Sequence, residues 1–539
     1  MPDRKNSVVF PAFLSAVLAG IFTFCANYEG VLFFFDSLSY WQGSVSLLQG
    51  GGYKNFYPND FHHVMVAHWP PLFSLYLAGV QWIFGISGFS LILSLVFIAV
   101  CSAFVWTYLF CSFCGEENRW ARFALAASVA SLASSFSRSL ISDGLSVLLI
   151  GVLLLLVVRF FSPQSPLYTK SRAKPALAVF SVVSLSAVLA ACILTRKANI
   201  LFIPAIWLAV LLFVRTAEWR RPVFVCAVLG ALSLLIYSGV VSILSEPGGN
   251  DGHTIHFGAH SLETLRYLRE FWWGIENSVF LGMGGGASLA LMLFLFACAV
   301  QSAIYGRFRF EGEKIKKAAA PVVLIAVHIA GVFCLMHLIT YRGKYFSFEA
   351  RYIWQLTMAL SGVFGIAVTY FPVPSRRRIA TTLRRSVFPV TFALVCAVQV
   401  FNAGKYAAVG VLAQIPPPIL HTPLIDPTML WRVPRNHTIR RGYFRPPVRL
   451  SNGTVLVPPV GPFWWQKDAD ENVRDFMWKE GGRAFAYFWN IPADDPRRTA
   501  DVKPVITYGN TTLRLFENMP QIQSNDGPKC PPDKCAVAY

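Results

Sequence analysis

The stretch FFFDSLSYWQGSVSLLQGGGY, residues 33–53, follows the first long apolar run of the chain, Val8–Ala26. It places one carboxylate, Asp36, against three phenylalanines at the end of that run. After Asp36, apolar residues recur at spacings of three, four and three, up to the glycines at 50–52. This periodicity predicts an amphipathic helix at a bilayer surface, with Asp36 at its N-terminal end.

The composition indicates an integral membrane protein. The 539 residues are 55% hydrophobic and only 14% charged, whereas about a quarter of the residues of a soluble protein are charged. The net charge of +19 comes from short basic clusters between apolar runs. That distribution is typical of membrane topology, and no nucleic-acid partner is predicted.

About eleven apolar runs approach the ~20 residues that a membrane-spanning helix requires. We therefore predict an α-helical polytopic membrane protein with these spans: Val8–Ala26, Ser90–Phe113, Trp120–Phe136, Leu140–Phe160, Ala176–Leu194, Ile200–Val214, Val223–Leu244, Gly286–Tyr305, Pro321–Ile339, Tyr352–Phe371 and Val387–Phe401.

Basic residues assign the sides of the membrane. They fall in five alternate loops, around residues 119–122, 159–174, 215–221, 307–317 and 376–385, which predicts that these loops are cytoplasmic. The N-terminal Arg4 and Lys5 join them only if Leu72–Phe84, a short apolar segment, does not cross. We interpret that segment as an interfacial helix, which places Asp36 outside. The alternative, a short span, would place Asp36 in the cytosol.

The chain divides into two predicted domains. Residues 1–403 form the transmembrane domain, in which residues 27–71 are the first outer loop with its interfacial helices. Residues 404–539 are polar and rich in Pro and Trp, which predicts a small mixed α/β domain on the extracytoplasmic side. The protein is expected in a bacterial inner membrane or its equivalent.

Four further segments follow Asp36 in a characteristic order: AHWPPLFSLYLAGVQWIFG, SRSLISDGLSVLLIGVLLLL, LTRKANILFIP and FEARYIWQL. This series resembles the GT-C glycosyltransferases, which include protein O-mannosyltransferases and bacterial aminoarabinose transferases. The resemblance covers about Val8–Phe371. It implies an inverting transfer of a sugar from a polyprenyl phosphate to an acceptor hydroxyl of a glycan, lipid or protein at the outer membrane face.

The resemblance also implies roles for individual residues. Asp36 is the expected catalytic base, although a helix cap alone also explains a carboxylate there. Asp143 matches the second acidic position of the family and is expected to orient hydroxyl groups, with a salt bridge to Arg138 as the alternative. Tyr40 and His68 are expected substrate contacts.

The departing phosphate requires cations close to it. Arg351 is the first candidate, because it precedes Tyr352 at the start of a predicted span. Arg196 and Lys197 at another outer turn come next, and Lys344 is a further candidate.

Three histidines, His62, His63 and His68, lie near Asp60 in the first outer loop. Their spacing matches no standard zinc pattern, so no metal ligand is predicted, while a divalent ion stays open as a cofactor.

A transporter or flippase for a lipid-linked or small polar substrate is the alternative function. Transporters place ionisable groups near the middle of the membrane, often in repeated halves. Here the charges lie at helix ends, which favours the enzyme.

Overall fold

The structure is a computed structural model. It describes residues 3–27, 35–48, 50, 52–53, 69–85, 88–114, 119–160, 175–213, 220–244, 253–255, 268–272, 312–341, 344–345, 350–369, 379–412 and six short strands beyond residue 447. The described part of residues 3–412 is mainly helical.

Twelve helices of this region are numbered in chain order. Their bounds are α1 Asp3–Ala26, α2 Phe35–Leu48, α3 Leu72–Phe84, α4 Gly88–Cys111, α5 Arg119–Phe136, α6 Ser142–Phe160, α7 Pro175–Thr195, α8 Phe202–Phe213, α9 Arg220–Leu244, α10 Gly312–Leu338, α11 Trp354–Thr369 and α12 Ile379–Leu412. Short 3₁₀ helices at Lys197–Leu201 and Ala350–Ile353 precede α8 and α11.

Ten of the eleven predicted spans overlap with helices of this structure, and the other, Gly286–Tyr305, lies outside the described residues. Within the described part, four helical segments are long and apolar enough to cross a membrane: Val8–Ala26, Phe89–Cys111, Ser142–Arg159 and Val223–Leu244. The prediction of an integral membrane protein is therefore confirmed, and the exact number of spans stays a prediction.

The helix predicted after the first span is present as α2. It begins at Phe35, so Asp36 is its second residue rather than a residue that precedes it. The helix ends at Leu48, and Gly50 and Gly52 follow with positive φ, as expected for a glycine stop. It packs against α3, the short apolar segment Leu72–Phe84 that was interpreted as an interfacial helix.

The packing of α1 against α4 shows whether α3 can cross the membrane once between them. Ser15 of α1 accepts a hydrogen bond from Thr107 of α4 at 2.9 Å, and Gly20 lies against Val100. Residues of increasing number in α1 therefore contact residues of decreasing number in α4, so the two helices are antiparallel. The end of α1 and the start of α4 consequently lie at one end of the bundle, and a single crossing by α3 between them is excluded.

The same end of the bundle carries the start of α6. Gly144 lies against Ile98, and Gly151 lies against Trp106, so α4 and α6 run parallel. Trp106 donates from Nε1 to the Val147 carbonyl at 3.0 Å. At this end, Phe136 of α5 also stacks on Trp354 of α11, with ring centroids 4.7 Å apart.

The strands are short and antiparallel. A three-stranded sheet in the order β1-β2-β3 joins His253–Ile255, Ile339–Tyr341 and Lys344–Tyr345. In the last third of the chain, β4 and β5 pair at Val448–Arg449 and Val455–Leu456. A four-stranded sheet in the order β6-β7-β9-β8 is formed by Arg474–Glu480, Arg483–Trp489, Thr511–Phe516 and Lys503–Tyr508.

Candidate functional site

Three helix ends meet at the end of the bundle just described, and each contributes a charged side chain. Asp143 is the second residue of α6, Arg196 follows the last residue of α7, and Arg351 lies in the 3₁₀ helix before α11. The sequence places these residues far apart, and only the packing of α6, α7 and α11 brings them together.

Asp143 forms ion pairs with both arginines. Nη1 of Arg196 donates a hydrogen bond to Oδ1 of the carboxylate, and Nη1 of Arg351 lies 3.7 Å from Oδ2. The Asp143 side chain is 3% exposed, whereas those of Arg196 and Arg351 are 18% and 21% exposed. The carboxylate is thus enclosed, while both arginine side chains are partly exposed.

Tyr352 supports the two guanidinium groups from one side. Cζ of Arg196 lies 4.5 Å from the centroid of the Tyr352 ring, and Cζ of Arg351 lies 5.7 Å from it. Both distances allow a cation–π attraction to the same ring. Asp143 and Tyr352 therefore hold two like charges close together.

Asn199 fixes the backbone turn that carries Arg196. Its Nδ2 donates to Oγ of Ser146 at 2.9 Å and to the Cys192 carbonyl at 2.8 Å. Arg196 itself has an extended backbone, with φ −150° and ψ 122°, between α7 and the 3₁₀ helix. This break in the helix directs the Arg196 side chain toward α6.

A cleft opens at this cluster. Besides the charged residues, its lining includes Asn199, His328 of α10, Val332 and Gln355. The His328 imidazole is 1% exposed and stacks on Phe202, with ring centroids 4.0 Å apart and an interplanar angle of 11°. The charged groups that line the cleft are two guanidinium groups and one carboxylate, so they carry a net positive charge.

Helix α2 is joined to this site by a hydrogen bond. The Tyr40 hydroxyl lies 2.9 Å from Oγ of Ser142, the residue before Asp143. Ser74 of α3 donates to the Tyr40 carbonyl at 2.8 Å, and the Tyr40 ring meets Phe73 edge to face. The helix that carries Asp36 is therefore held next to the start of α6.

A second tyrosine, Tyr53, is buried close to Tyr40. The Tyr53 hydroxyl donates to the Trp69 carbonyl at 2.7 Å and lies 3.4 Å from Oγ of Ser74. Burial raises the pKa of Tyr53 well above its ordinary value, because the phenolate would lose its hydration. Tyr53 is consequently a neutral structural residue between α2 and α3.

The structure brings together several residues predicted from the sequence. Asp143, Arg196 and Arg351 form one cluster, and Lys197 is the residue after Arg196. The side chains of Asp36 and Lys344 lie outside the described residues, as does all of His68.

The histidine group in which no metal ligand was predicted is also outside the described part of the chain, because residues 54–68 contain Asp60 and all three histidines. Among the residues that the structure describes, no group of three His, Cys, Asp or Glu side chains is arranged to hold a metal ion.

Several residues that line the cleft were not predicted from the sequence, and Asn199 and His328 are the two whose contacts are described above. Asn199 lies in the segment LTRKANILFIP but was given no role from the sequence, and His328 belongs to none of the quoted segments. A signal for His328 was available, because an imidazole within the apolar run VVLIAVHIAGVF is unusual in a membrane-spanning segment.

A search of solved structures relates this fold to known proteins. The crystal structure of ArnT from Cupriavidus metallidurans bound to undecaprenyl phosphate matches with a TM-score of 0.51 and 14% identity, over 98% of this chain and 100% of that chain. At this identity the match shows that the fold of this chain is similar to that of ArnT. The resemblance drawn from the sequence is confirmed at this level.

Two further structures are similar at lower scores. The Archaeoglobus fulgidus oligosaccharyltransferase matches with a TM-score of 0.40 and 12% identity, over 74% of this chain and 55% of that chain. The arabinosyltransferase EmbB from Mycobacterium smegmatis matches with a TM-score of 0.34 and 12% identity, over 93% of this chain and 56% of that chain. Neither the scan of protein-family models nor the search of curated proteins finds a match.

Proposed function

We propose that this protein is an inverting glycosyltransferase that moves a sugar from a polyprenyl phosphate to an acceptor hydroxyl. The observation that carries the proposal is the pair of guanidinium groups of Arg196 and Arg351 in one partly exposed cleft. A leaving phosphate gains negative charge as the glycosidic bond breaks, and fixed cations stabilise that charge. The full-length similarity of fold to ArnT supports the same assignment.

Asp36 is the proposed general base. Both oxygens of Asp143 face guanidinium groups, so that carboxylate is engaged and enclosed. Asp36 lies on α2, which the Tyr40–Ser142 bond holds beside the cluster. We assign to Asp36 the removal of the acceptor proton and to Asp143 the placement of the two arginines.

The remaining candidates have supporting roles in this proposal. Lys197 and Lys344 add positive charge near the phosphate. His68 contacts the substrate, and the Tyr40 ring borders the acceptor while its hydroxyl holds Ser142.

The site is proposed to face the extracytoplasmic side. The end of α5 lies near these helix ends, so the start of α5, which carries Arg119, lies at the opposite end of the bundle. Basic clusters favour the cytoplasmic side of a membrane. The residues from 404 onward are placed on the side of the site, as a small mixed α/β domain.

The test uses purified protein, sugar-loaded polyprenyl phosphates and a lipid and glycan extract as the source of acceptors. Asp36→Asn is expected to lower the rate of sugar transfer by about 10²–10⁴-fold, since it removes general-base catalysis. Asp60→Asn is the matched control, because it makes the same change in the same predicted loop and is expected to leave the rate unchanged.

Near wild-type transfer by Asp36→Asn would remove Asp36 as the base. A second assay tests the alternative function. Uptake of a lipid-linked sugar into vesicles, without any glycosylated product from the wild type, would instead establish a transporter.

A further inference from the structure

His328 is buried within the bundle, and its ring nitrogens have no hydrogen-bond partner among the residues that the structure describes. The side chain is 1% exposed, and neither Nδ1 nor Nε2 has a partner of hydrogen-bond geometry among the described residues. The Ala198 backbone is close to the ring, but it does not meet that geometry. Buried polar groups without partners destabilise a protein, so such a group requires an explanation.

The stacking on Phe202 explains the orientation of the His328 ring, but it does not explain why this residue is a histidine. A phenylalanine would stack equally well on Phe202 and would bury no polar atoms. The imidazole therefore gives this position no advantage in the ligand-free structure. Its advantage has to come from a group that enters the cleft, which His328 lines together with Arg196 and Arg351.

The charges of the cleft indicate what that group is. Two guanidinium groups against one carboxylate attract an anion, and a phosphate accepts hydrogen bonds on several oxygens at once. A neutral imidazole has one N–H donor, which suits such an oxygen, and its flat side stays on Phe202.

We propose that His328 is a ligand-binding residue, which donates a hydrogen bond to a phosphate group held in the cleft by Arg196 and Arg351. This inference deepens the proposed function, because it names the contact that a lipid-linked phosphate makes at the base of the site. It does not require that sugar transfer occurs.

Binding by purified protein in detergent tests the inference, with three probes: undecaprenyl phosphate, undecaprenol and inorganic phosphate. We expect His328→Phe to lose roughly tenfold or more in affinity for undecaprenyl phosphate, as for one hydrogen bond to a charged group. His328→Gln, which keeps an N–H donor, is expected to retain more of the affinity. Undecaprenol is expected to bind wild type and variant equally.

The third probe separates the two sources of phosphate. Competition by millimolar inorganic phosphate would show that the cleft recognises the phosphate alone. If inorganic phosphate does not displace bound undecaprenyl phosphate, the lipid chain is also required for binding. In both cases the His328→Phe variant is expected to weaken the phosphate-dependent binding.

Thermal unfolding of the ligand-free protein distinguishes a binding role from a structural one. His328→Phe and His328→Leu are expected to unfold at the wild-type temperature or above it, because they remove two unsatisfied polar atoms. The contrasting control is Gln399→Leu. It removes a buried amide that accepts a hydrogen bond from Ser128 outside the cleft, and it is expected to lower that temperature without changing binding.

Two results would overturn the inference. One is wild-type affinity of His328→Phe for undecaprenyl phosphate. The other is a loss of thermal stability in both His328→Phe and His328→Leu, which would show that the imidazole serves the fold. Intact phosphate binding without sugar transfer would contradict the proposed enzyme and leave the role of His328 standing.

Discussion

The Tyr40 hydroxyl lies 2.9 Å from Oγ of Ser142, and this bond ties the helix of Asp36 to the residue that precedes Asp143. The two partners are 102 positions apart in the chain. The contact is enclosed, since Tyr40 is 5% exposed and Ser142 is 3% exposed. It thereby connects the proposed base with the cluster that would receive the phosphate.

The strength of this bond can be measured by a double-mutant cycle. Tyr40→Phe and Ser142→Ala each remove one partner, and each is expected to lower the free energy of unfolding by about 1 kcal/mol. The double variant is expected to lose less than the sum, by about 0.5–1.5 kcal/mol, because only one bond exists to be broken. Chemical or thermal unfolding in detergent gives the values. Strictly additive losses would show that the two hydroxyls do not interact.

Asp143→Asn tests the ion-pair cluster. The change keeps the shape of the side chain but leaves Arg196 and Arg351 close together without the carboxylate between them. We expect a loss of about 2 kcal/mol in the free energy of unfolding, less than for a fully buried pair because both arginine side chains are partly exposed. Arg351→Lys, which retains the charge, is the control and is expected to cost less. Equal stability of Asp143→Asn and wild type would contradict the cluster.

Tyr352 allows the aromatic contribution to be separated from that of the hydroxyl. Tyr352→Phe keeps the ring beneath both guanidinium groups, whereas Tyr352→Leu removes it. The Leu variant is expected to be about 1–2 kcal/mol less stable than the Phe variant, since it loses two cation–π contacts. Measured affinity for undecaprenyl phosphate is expected to fall in the same order. Indistinguishable Phe and Leu variants would rule out a role for the ring face.

The raised pKa of Tyr53 predicts a pH dependence. Above about pH 10 the unfolded chain releases the phenolic proton, while the folded protein retains it. The stability that Tyr53 contributes is therefore complete below pH 10 and is lost as the pH rises above it. Tyr53→Phe removes the bond to the Trp69 carbonyl, which costs about 1 kcal/mol at pH 7.

The difference in unfolding free energy between the wild type and Tyr53→Phe should consequently shrink as the pH increases beyond 10. Unfolding measured between pH 7 and pH 11 gives the comparison. A constant difference across that range would mean that the Tyr53 phenol titrates alike in the folded and unfolded states.

Close packing between α4 and α11 depends on Gly362. A Cβ at this position would lie 2.3 Å from the ring atoms of Phe110, which is buried. Gly362→Ala is expected to lower the unfolding temperature, with a loss of about 1–3 kcal/mol or more from overpacking. Gly404→Ala in α12 is the matched control, because no described residue lies within 4 Å of a Cβ built there, and it is expected to be neutral or stabilising. The same response of both glycines would contradict the observed packing.

The sequence by itself determined the class of this protein and the positions of its helices. Apolar runs and helix stops are local properties, so the ends of α1, α2 and α6 could be read from the order of residues, although α1 begins at Asp3 and not at the predicted Val8. The order of motifs also led to the GT-C resemblance and to Asp143, Arg196 and Arg351 as residues of one site.

Only the tertiary structure decided how these residues meet. The pairing of Asp143 with Arg196 and Arg351, and the position of His328 in the same cleft, depend on which helices are neighbours. The direction of α1 against α4 likewise decided that α3 makes no single crossing. Such facts arise from contacts between residues distant in the chain, which no local pattern of side chains encodes.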